Sequence, residues 1–534
     1  MKKIFKWRRS SSPHEQQGRA SRRDEKKLPE ISIRVNAIDW SSSIEILDSY
    51  AVDQSKIYIT ADGRYLVEDP QLSPSDGEKL KAAATKIVYM LPAMPSMEEE
   101  EFLKLLEELG ISDEKLAYLL EREVRGYGVL DPIMKDPHVE DIQVPSPGVP
   151  AKVVHTDFGV LVTNIVFMEE ELDNYVEKLV HKCGKAVSLY NPFMSLRLPE
   201  GHRLTVTYRR EVSCRGSSLT IRKFPEKPWS ITRLMLKGTI SPSMAAWLML
   251  LIEFKKALLV VGGVGTGKTS LINALCNLIP ERCTIVTIED TAELRLAHST
   301  WIPLVTREPV TLDQRGEITM FKLVKHALRM SPDYIVVGEV RGEEGRIWAQ
   351  AMLTGHGGIT SFHSESPRAA IERLTADPIK VDKGCLTALH GLVFMKKVQL
   401  GGSERKWARR ALGIYDLEYN PSLDKARFYK LFTYNFEEDF QVPADVEVFV
   451  KTPSAQLIME ESGWDEDRLI KELSLREKFL KRLKALSQRE PEYLEYQKVA
   501  HAIWQFYEKA PSLRIEGKSF FETGEKISPL LAMP

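Results

Sequence analysis

Residues 256–276 read KALLVVGGVGTGKTSLINALC. The apolar run ALLVV leads into G-x-x-x-x-G-K-T, and the apolar-periodic segment TSLINALCNLI leads out of it. This stretch constrains the fold more than any other. A phosphate loop works only between a buried strand and the start of a helix. There glycines let backbone N–H groups turn inward, and the helix N-terminus adds its positive dipole end. Gly262, Gly263, Val264, Gly265, Thr266, Gly267, Lys268, Thr269 and Ser270 are the candidate phosphate contacts. Lys268 supplies a point charge for the phosphates, and the Thr269 hydroxyl is placed to ligate Mg²⁺. A plain glycine-rich turn is the competing reading. The strand–loop–helix setting argues against it and for an α/β domain with a parallel sheet.

Two further apolar runs end in carboxylates. DYIVVGEVRG (333–342) reads as a strand ending at Glu339. A parallel strand beside the P-loop strand would carry that carboxylate to the C-terminal sheet edge, where ligands bind in such folds. There it would orient a water or hold the metal's hydration shell. Gly338 before it and Arg341 after it suit a shaped site. TIVTIEDTAEL (284–294) runs into Glu289, Asp290 and Glu293. Acidic strand ends are common, so this stretch is weak alone. Together the three strand ends describe one nucleotide site with a metal.

Downstream, TGHGGITSFHSESP (354–367) carries His356 and His363. No Cys, His or carboxylate partners stand at ligand spacing, which argues against a metal site. Gly357 and Gly358 suit a close approach of backbone to ligand. A histidine beside a terminal phosphate can donate a hydrogen bond and feel the charge leave. Sensing, direct proton transfer and an inert loop are the three open roles.

The chain has 534 residues, a formal net charge of -1, 43% hydrophobic and 28% charged residues. That length suits about three or four globular domains. The balance lacks the basic excess usual in nucleic-acid proteins, so no nucleic-acid partner is expected. Cys183, Cys214, Cys276, Cys283 and Cys385 form no C-x-x-C pair and read as reduced cytosolic thiols. MAAWLMLLI (244–252) is too short to span a bilayer and predicts a buried helix.

Residues 1–30 carry ten Lys or Arg against four Asp or Glu. They read as a basic disordered tail, and either a solvated one or, with Ile4, Phe5 and Trp7 among the cations, a foot on anionic lipid. The expected organisation continues with an N-terminal α/β and helical region (31–125) and a second N-terminal domain (126–225). A proline-bearing linker (226–240) leads to a nucleotide-binding α/β domain (241–435) and a helical C-terminal extension (436–534). In that extension Leu469, Leu473, Leu480, Leu483 and Leu486 make one apolar stripe.

The order phosphate loop, TIEDTAEL, RMSPDYIVVGEVRG, TGHGGITSFHS resembles the secretion ATPase superfamily, the hexameric motors of type II and type IV secretion, type IV pili and the archaeal flagellum. These stretches are similar to its Walker A, Asp, Walker B and His boxes. GYGVLDPIMKDPHVEDIQV, LPEGHRLTVTY and SLTIRKF resemble its second N-terminal domain, and HTDFGVLVTNIVF looks most like archaeal members. The resemblance covers 120–435 and fades before about residue 90. It implies a RecA-like P-loop core preceded by a smaller α+β, PAS-like domain, with helical terminal regions. It implies ATP and Mg as cofactors, with Thr269 and Glu339 at the metal. Glu339 would activate water, assisted by Glu289, Asp290 and Glu293. His356 and His363 would both lie near the γ-phosphate. Arg203, Arg210 and Arg222 are implied candidates to close over the phosphates. The implied partners are five further copies in a homo-hexamer and a polytopic platform protein on the inner face of the cell membrane. Two departures matter. The four-cysteine zinc module of many bacterial members is absent, and Phe362 and Ser364 flank His363 where many carry Leu and Thr.

Three functions compete on this reading: an ATP-hydrolysing motor, a nucleic-acid translocase or conjugation-type ATPase, and a regulator that binds nucleotide without turnover. The intact Lys268, Thr269 and Glu339 weigh against the last.

Overall fold

The computed structural model describes residues 34–39, 44–90, 99–225, 227–307, 316–400, 406–420, 422 and 425–515. The basic segment 1–30, with its tail and membrane-foot readings, lies outside the described residues. The chain divides into two compact units. Unit 1 takes in residues up to Ala37, Asp53–Lys56 and Glu68–Pro132. Its helices are α1 (Pro74–Met90), α2 (Glu99–Glu108) and α3 (Glu114–Val124), which pack around Leu80, Phe102, Leu105, Leu116 and Leu119. Its polar centre is Asp69, which accepts hydrogen bonds from the Asn36 amide, the Ser55 hydroxyl and Arg122 at 2.6–2.8 Å.

Unit 2 carries nearly all of two nine-stranded sheets. The first is built from β1 (Ile46–Val52), β2 (Ser55–Thr60), β3 (Arg64–Glu68), β4 (Val139–Val144), β5 (Pro150–His155), β6 (Gly159–Val166), β7 (Phe193–Arg197), β8 (Arg203–Thr207) and β9 (Ser218–Arg222). Their order is β1-β2-β3-β6-β5-β4-β9-β8-β7. β3 pairs parallel with β6, while the pairs from β6 to β7 are antiparallel. The short α4 (Asp131–Lys135) precedes β4, and α5 (Glu169–Lys182) lies between β6 and β7. Along β6 the residues alternate between buried and exposed or half-buried, the mark of a sheet with one covered face.

The second sheet holds the phosphate loop. Helices α6 (Ile231–Leu236) and α7 (Pro242–Glu253) lead into β10 (Ala257–Gly262) and α8 (Lys268–Cys276). There follow β11 (Ile285–Glu289), β12 (Trp301–Val305), α9 (Met320–Ala327), β13 (Tyr334–Val340), α10 (Glu344–Leu353), β14 (Gly357–His363) and α11 (Pro367–Thr375). Three longer strands and a short one close the sheet: β15 (Leu389–Gln399), β16 (Trp407–Asn420), β17 (Lys425–Asn435) and the short β18 (Phe440–Pro443). The order is β12-β11-β13-β14-β10-β15-β16-β17-β18. Strands β12 to β15 are parallel and the last three turn antiparallel.

β10 is buried on both faces, as an interior parallel strand requires. Leu258 and Val260 join one apolar cluster while Ala257, Leu259 and Val261 join the other, following the two-residue period of a strand. The first cluster is formed with α6, α7 and α8 and with the C-terminal helices α12 (Val446–Val450), α13 (Pro453–Ser462), α14 (Glu466–Arg489) and α15 (Tyr496–Ile515). The segment 244–252 is buried throughout as the body of α7, capped by the Ser241 hydroxyl with Pro242 in the first turn. The leucine stripe lies on α14, with Leu469, Leu480 and Leu483 fully buried. Among the described residues no helix is long and apolar enough to cross a membrane.

The sheet order differs from the expected one. β13, which carries Glu339, is not beside the P-loop strand. β14 lies between them, pairing with β10 on one side and β13 on the other. Sheet order is a non-local property that no single strand's residues encode.

Candidate functional site

The loop between β10 and α8 turns at Gly267, whose φ of 88° is left-handed, a region that costs a side chain but not glycine. Lys268 then opens α8, with its ammonium on the carbonyls of Gly262 (3.0 Å) and Gly263 (2.8 Å). Burial pulls its pKa down, opposed by the charge of Glu339. Thr269, one residue on, stands close enough to Glu293 for its hydroxyl to favour that carboxylate's charged form. Val264 and Gly265 are exposed at the loop apex, while the Thr266 hydroxyl bonds the Gly263 carbonyl at 3.0 Å. Ser270 is half-buried in the first turn of α8.

The carboxylates gather from two other strand ends. Glu289 closes β11, is 4% exposed, and accepts hydrogen bonds from the amides of Glu293 and Leu294 at 3.0–3.1 Å. Those bonds fold the segment after β11 back onto the strand end. Burial outweighs them and pushes the Glu289 pKa up to about 7. Gly338 on β13 makes room for this side chain, since a Cβ there would stand 3.2 Å from Glu289 Cγ. Burial also raises Glu293, opposed by Arg222 and the Thr269 hydroxyl. Glu339 pairs with Arg341, which also lies 3.5 Å from Asp290. Glu344 holds the turn bearing Arg341 by accepting from the Arg341 and Gly342 amides at 2.6–2.7 Å.

His363 ends β14 in register with Gly262, the first glycine of the loop. His356 does not join it. It precedes the first residue of that strand and bonds the Ala351 carbonyl and Thr354 hydroxyl at 3.1 and 3.0 Å. Seven residues of extended chain put the two histidines about 20 Å apart, at opposite edges of the sheet. The expectation that both lie near the phosphate is corrected for His356. The glycines beside it have a packing reason. A side chain on Gly357 would strike the Tyr334 ring, and one on Gly358 would strike Met352.

From the N-terminal sheet, three arginines line up across neighbouring strands. Arg197 on β7 is paired with Arg203 on β8, and Arg203 with Arg222 on β9. Directly paired antiparallel residues share a face. The next position is Asp141 on β4, 2.9 Å from Arg222. This row faces the acidic cluster: Arg222 and Arg203 act on Glu293, and Arg197 acts on Glu289. Arg210 is turned elsewhere, to Glu169 at 2.9 Å on the start of α5, a correction to its expected place over the phosphates.

Three residues of this site escape sequence reading: Arg197, Glu140 and Arg409. Arg409 on β16 donates to the Gly265 carbonyl at 2.9 Å and to Glu140 at 2.6 Å. No motif marks any of them. Only the alternation in SLRLPEGHRLTVTY, which places Arg197 and Arg203 on β-hairpin arms, could have suggested the first.

A site with this donor set suits a magnesium nucleotide. Among the described residues no three His, Cys, Asp or Glu form a metal cage. Mg²⁺ is ordinarily held by one or two protein groups, phosphates and waters. The Thr269 hydroxyl beside the buried carboxyl of Glu293 fits such a cation.

The family model described as Type II/IV secretion system protein matches residues 166–392. The uncharacterized protein MJ0900 of Methanocaldococcus jannaschii is 36% identical over 76% of this chain and 71% of its own length. The putative conjugal transfer protein Rv3659c of Mycobacterium tuberculosis is 31% identical over 48% of this chain and 74% of its own. Among solved structures, the ATPase DotB of Legionella pneumophila is 15% identical, with a TM-score of 0.39, over 72% of this chain and 94% of that one. The archaeal likeness read from HTDFGVLVTNIVF agrees with the first of these. The phosphate loop, the acidic strand ends and these relatives together establish that the chain belongs to the type II/IV secretion protein family, the secretion ATPase superfamily.

Proposed function

We propose that the chain is a Mg-dependent ATPase working as a homo-hexameric motor on the inner face of the cell membrane. It passes force to a polytopic platform protein of a pilus-like, archaeal flagellum or type II secretion machine. The observation that carries this reading is convergence at one sheet edge. Lys268 and Thr269, the carboxylates Glu289, Glu293 and Glu339, and the arginine row meet there from separate strands.

In this reading the loop amides from Gly263 to Thr269 cradle the phosphates, and Lys268 leaves its two carbonyls to bind them. Bound Mg²⁺ would neutralise charge on the transferred phosphate, held by Thr269 with Glu339 at its hydration shell. Glu339 orients the attacking water, with Glu293 and Asp290 beside it. Glu289, its pKa pushed up to about 7 by burial, holds the segment after β11 in place by accepting from the Glu293 and Leu294 amides. Arg203, Arg222 and Arg197 face the spreading negative charge, an arrangement that lowers the barrier to phosphoryl transfer. His363, next to the loop's first glycine, senses the terminal phosphate. The division of labour proposed is a domain at 126–225 moving against a core at 241–435 across the linker 226–240, with helices α12 to α15 as structural support.

A second reading has one supporting observation, the likeness to a putative conjugal transfer protein. Both are tested by steady-state hydrolysis of ATP by the full chain, with Mg²⁺ and with EDTA, alongside its mass in solution. Mg-dependent turnover by a six-copy assembly, unaffected by DNA, supports the motor. Turnover stimulated by DNA, with salt-sensitive binding, supports the translocase. No turnover under any of these conditions sinks both.

A further inference from the structure

Arg409 touches two regions at once. Its Nε donates to the Gly265 carbonyl at the apex of the phosphate loop, at 2.9 Å. Its Nη2 donates to both carboxylate oxygens of Glu140 on the N-terminal sheet, at 2.6 Å each. Its stem lies against the loop, so that a Cβ on Gly267 would stand 2.9 Å from Arg409 Cδ. The two side chains are 22% and 31% exposed, so this pair is less screened than an ordinary surface ion pair.

Two local features aim these groups. The pairing of β4 with β5 skips a residue between Val139 and Asp141. Glu140 is the extra residue, and a bulge is how a strand redirects one side chain without disturbing the next. Asp141 keeps its place beside Arg222. On the other side, Trp407 anchors β16 by donating its amide to the Asp157 carbonyl at 2.7 Å. Arg409 therefore springs from a strand already fastened to the N-terminal sheet.

The peptide group explains what the Gly265 contact does. In a trans peptide the C=O of one residue and the N–H of the next point in opposite directions. A donor that holds the Gly265 carbonyl outward therefore holds the Thr266 N–H inward, toward the position a phosphate would take. We propose that Arg409 is a positioning residue. It presets the loop for phosphate and, through Glu140, ties the loop's state to the position of the N-terminal sheet. This rests on the reading of the loop as the nucleotide site. The arginine fork matters, because a lysine at this position has no planar pair of donors to serve both partners.

The test uses the full chain and four variants: Arg409→Ala, Arg409→Lys, Glu140→Gln and the double Arg409→Ala/Glu140→Gln. Measured are the Kd for MgADP, kcat and KM for ATP, and amide exchange of residues 262–270 and 139–144 with and without nucleotide. Arg409→Ala is expected to weaken nucleotide binding about tenfold, with Arg409→Lys failing to restore it. Glu140→Gln is expected to keep the Kd within about threefold, to lower kcat about tenfold, and to abolish the nucleotide-dependent change in exchange at 139–144. The double variant should match Arg409→Ala alone, because Glu140 acts only through Arg409. Independent, multiplicative effects would overturn the proposal, as would an unchanged Kd in Arg409→Ala. If the wild type binds nucleotide normally and the variants do too, only this proposal falls. If the wild type binds none, the nucleotide reading falls with it.

Discussion

Both edges of the second sheet collect lysines, carboxylates and a histidine, and they treat them in opposite ways. At the N-terminal edge of the strands the charges are matched. Lys255 meets Asp333 at 2.7 Å, and Lys256 meets Glu461 at 2.5 Å. Arg476 is buried between Glu472 and Glu253. His390 is pushed down to about 4 by burial and by Lys256, and so stays neutral. At the C-terminal edge Glu339 pairs with Arg341 and the facing Arg222 with Asp141, but the rest of the balance is left open. Lys268 rests on backbone carbonyls, buried Glu289 is pushed up to about 7, and three arginines stand in one row. Matched charges hold helices to a sheet. Mismatched, partly desolvated ones describe a place where a charged ligand completes the set.

The comparison can be broken at several points. The largest difference is expected between two lysines. Lys268→Ala should lower ATP turnover by roughly 10³-fold, the scale of losing a group aimed at developing charge. Lys256→Ala at the other edge should leave it within about twofold. Next comes stability. Arg476→Ala removes the fully buried cation shared by Glu472 and Glu253, leaving Glu472 with Arg468 at 3.1 Å, and should cost about 3 kcal/mol in denaturant unfolding. Its Kd for nucleotide should not change while the chain remains folded.

The buried carboxylate gives a signature in pH. Glu289 has a raised folded-state pKa, about 7 against 4.5, so folding favours its protonated form. That contribution is intact below pH 4.5 and is lost as pH rises through about 7. The loss amounts to roughly 3 kcal/mol, from about 1.4 kcal/mol per unit. Unfolding free energies measured across this window should therefore decline less steeply in Glu289→Gln. An unchanged slope would place the buried charge elsewhere. A smaller effect separates two arginines. Arg222→Ala should lower kcat by about 10²-fold, less than a lone arginine finger because Arg203 and Arg197 stand beside it. Arg210→Ala, paired with Glu169, should change it by less than twofold.

What the sequence revealed follows from distance along the chain. The phosphate loop is a local object. Strand, glycines, lysine and helix are contiguous, so GGVGTGKTS could be read directly. The acidic strand ends were legible for the same reason, since Glu289 and Glu339 each close an apolar run. Sheet order was not legible, and so β14 came between β10 and β13 unannounced. The histidines were judged together because the family resemblance implies both near the γ-phosphate, and the glycines beside His356 suit a close approach to a ligand. In fact Gly357 and Gly358 are strand residues with no room for a side chain, and the strand carries His363 far from His356. Arg197, Arg409 and Glu140 depend on cross-strand register and on a bulge. Those properties exist only once both sheets are formed.

Amide exchange with and without MgATP tests the central claim directly, because it reports both edges in one experiment. The account predicts nucleotide-dependent protection at residues 262–270, 289–294 and 339–342 and around His363, with none at 353–356 or 387–390. Protection at the N-terminal edge, or none at the phosphate loop, would contradict it.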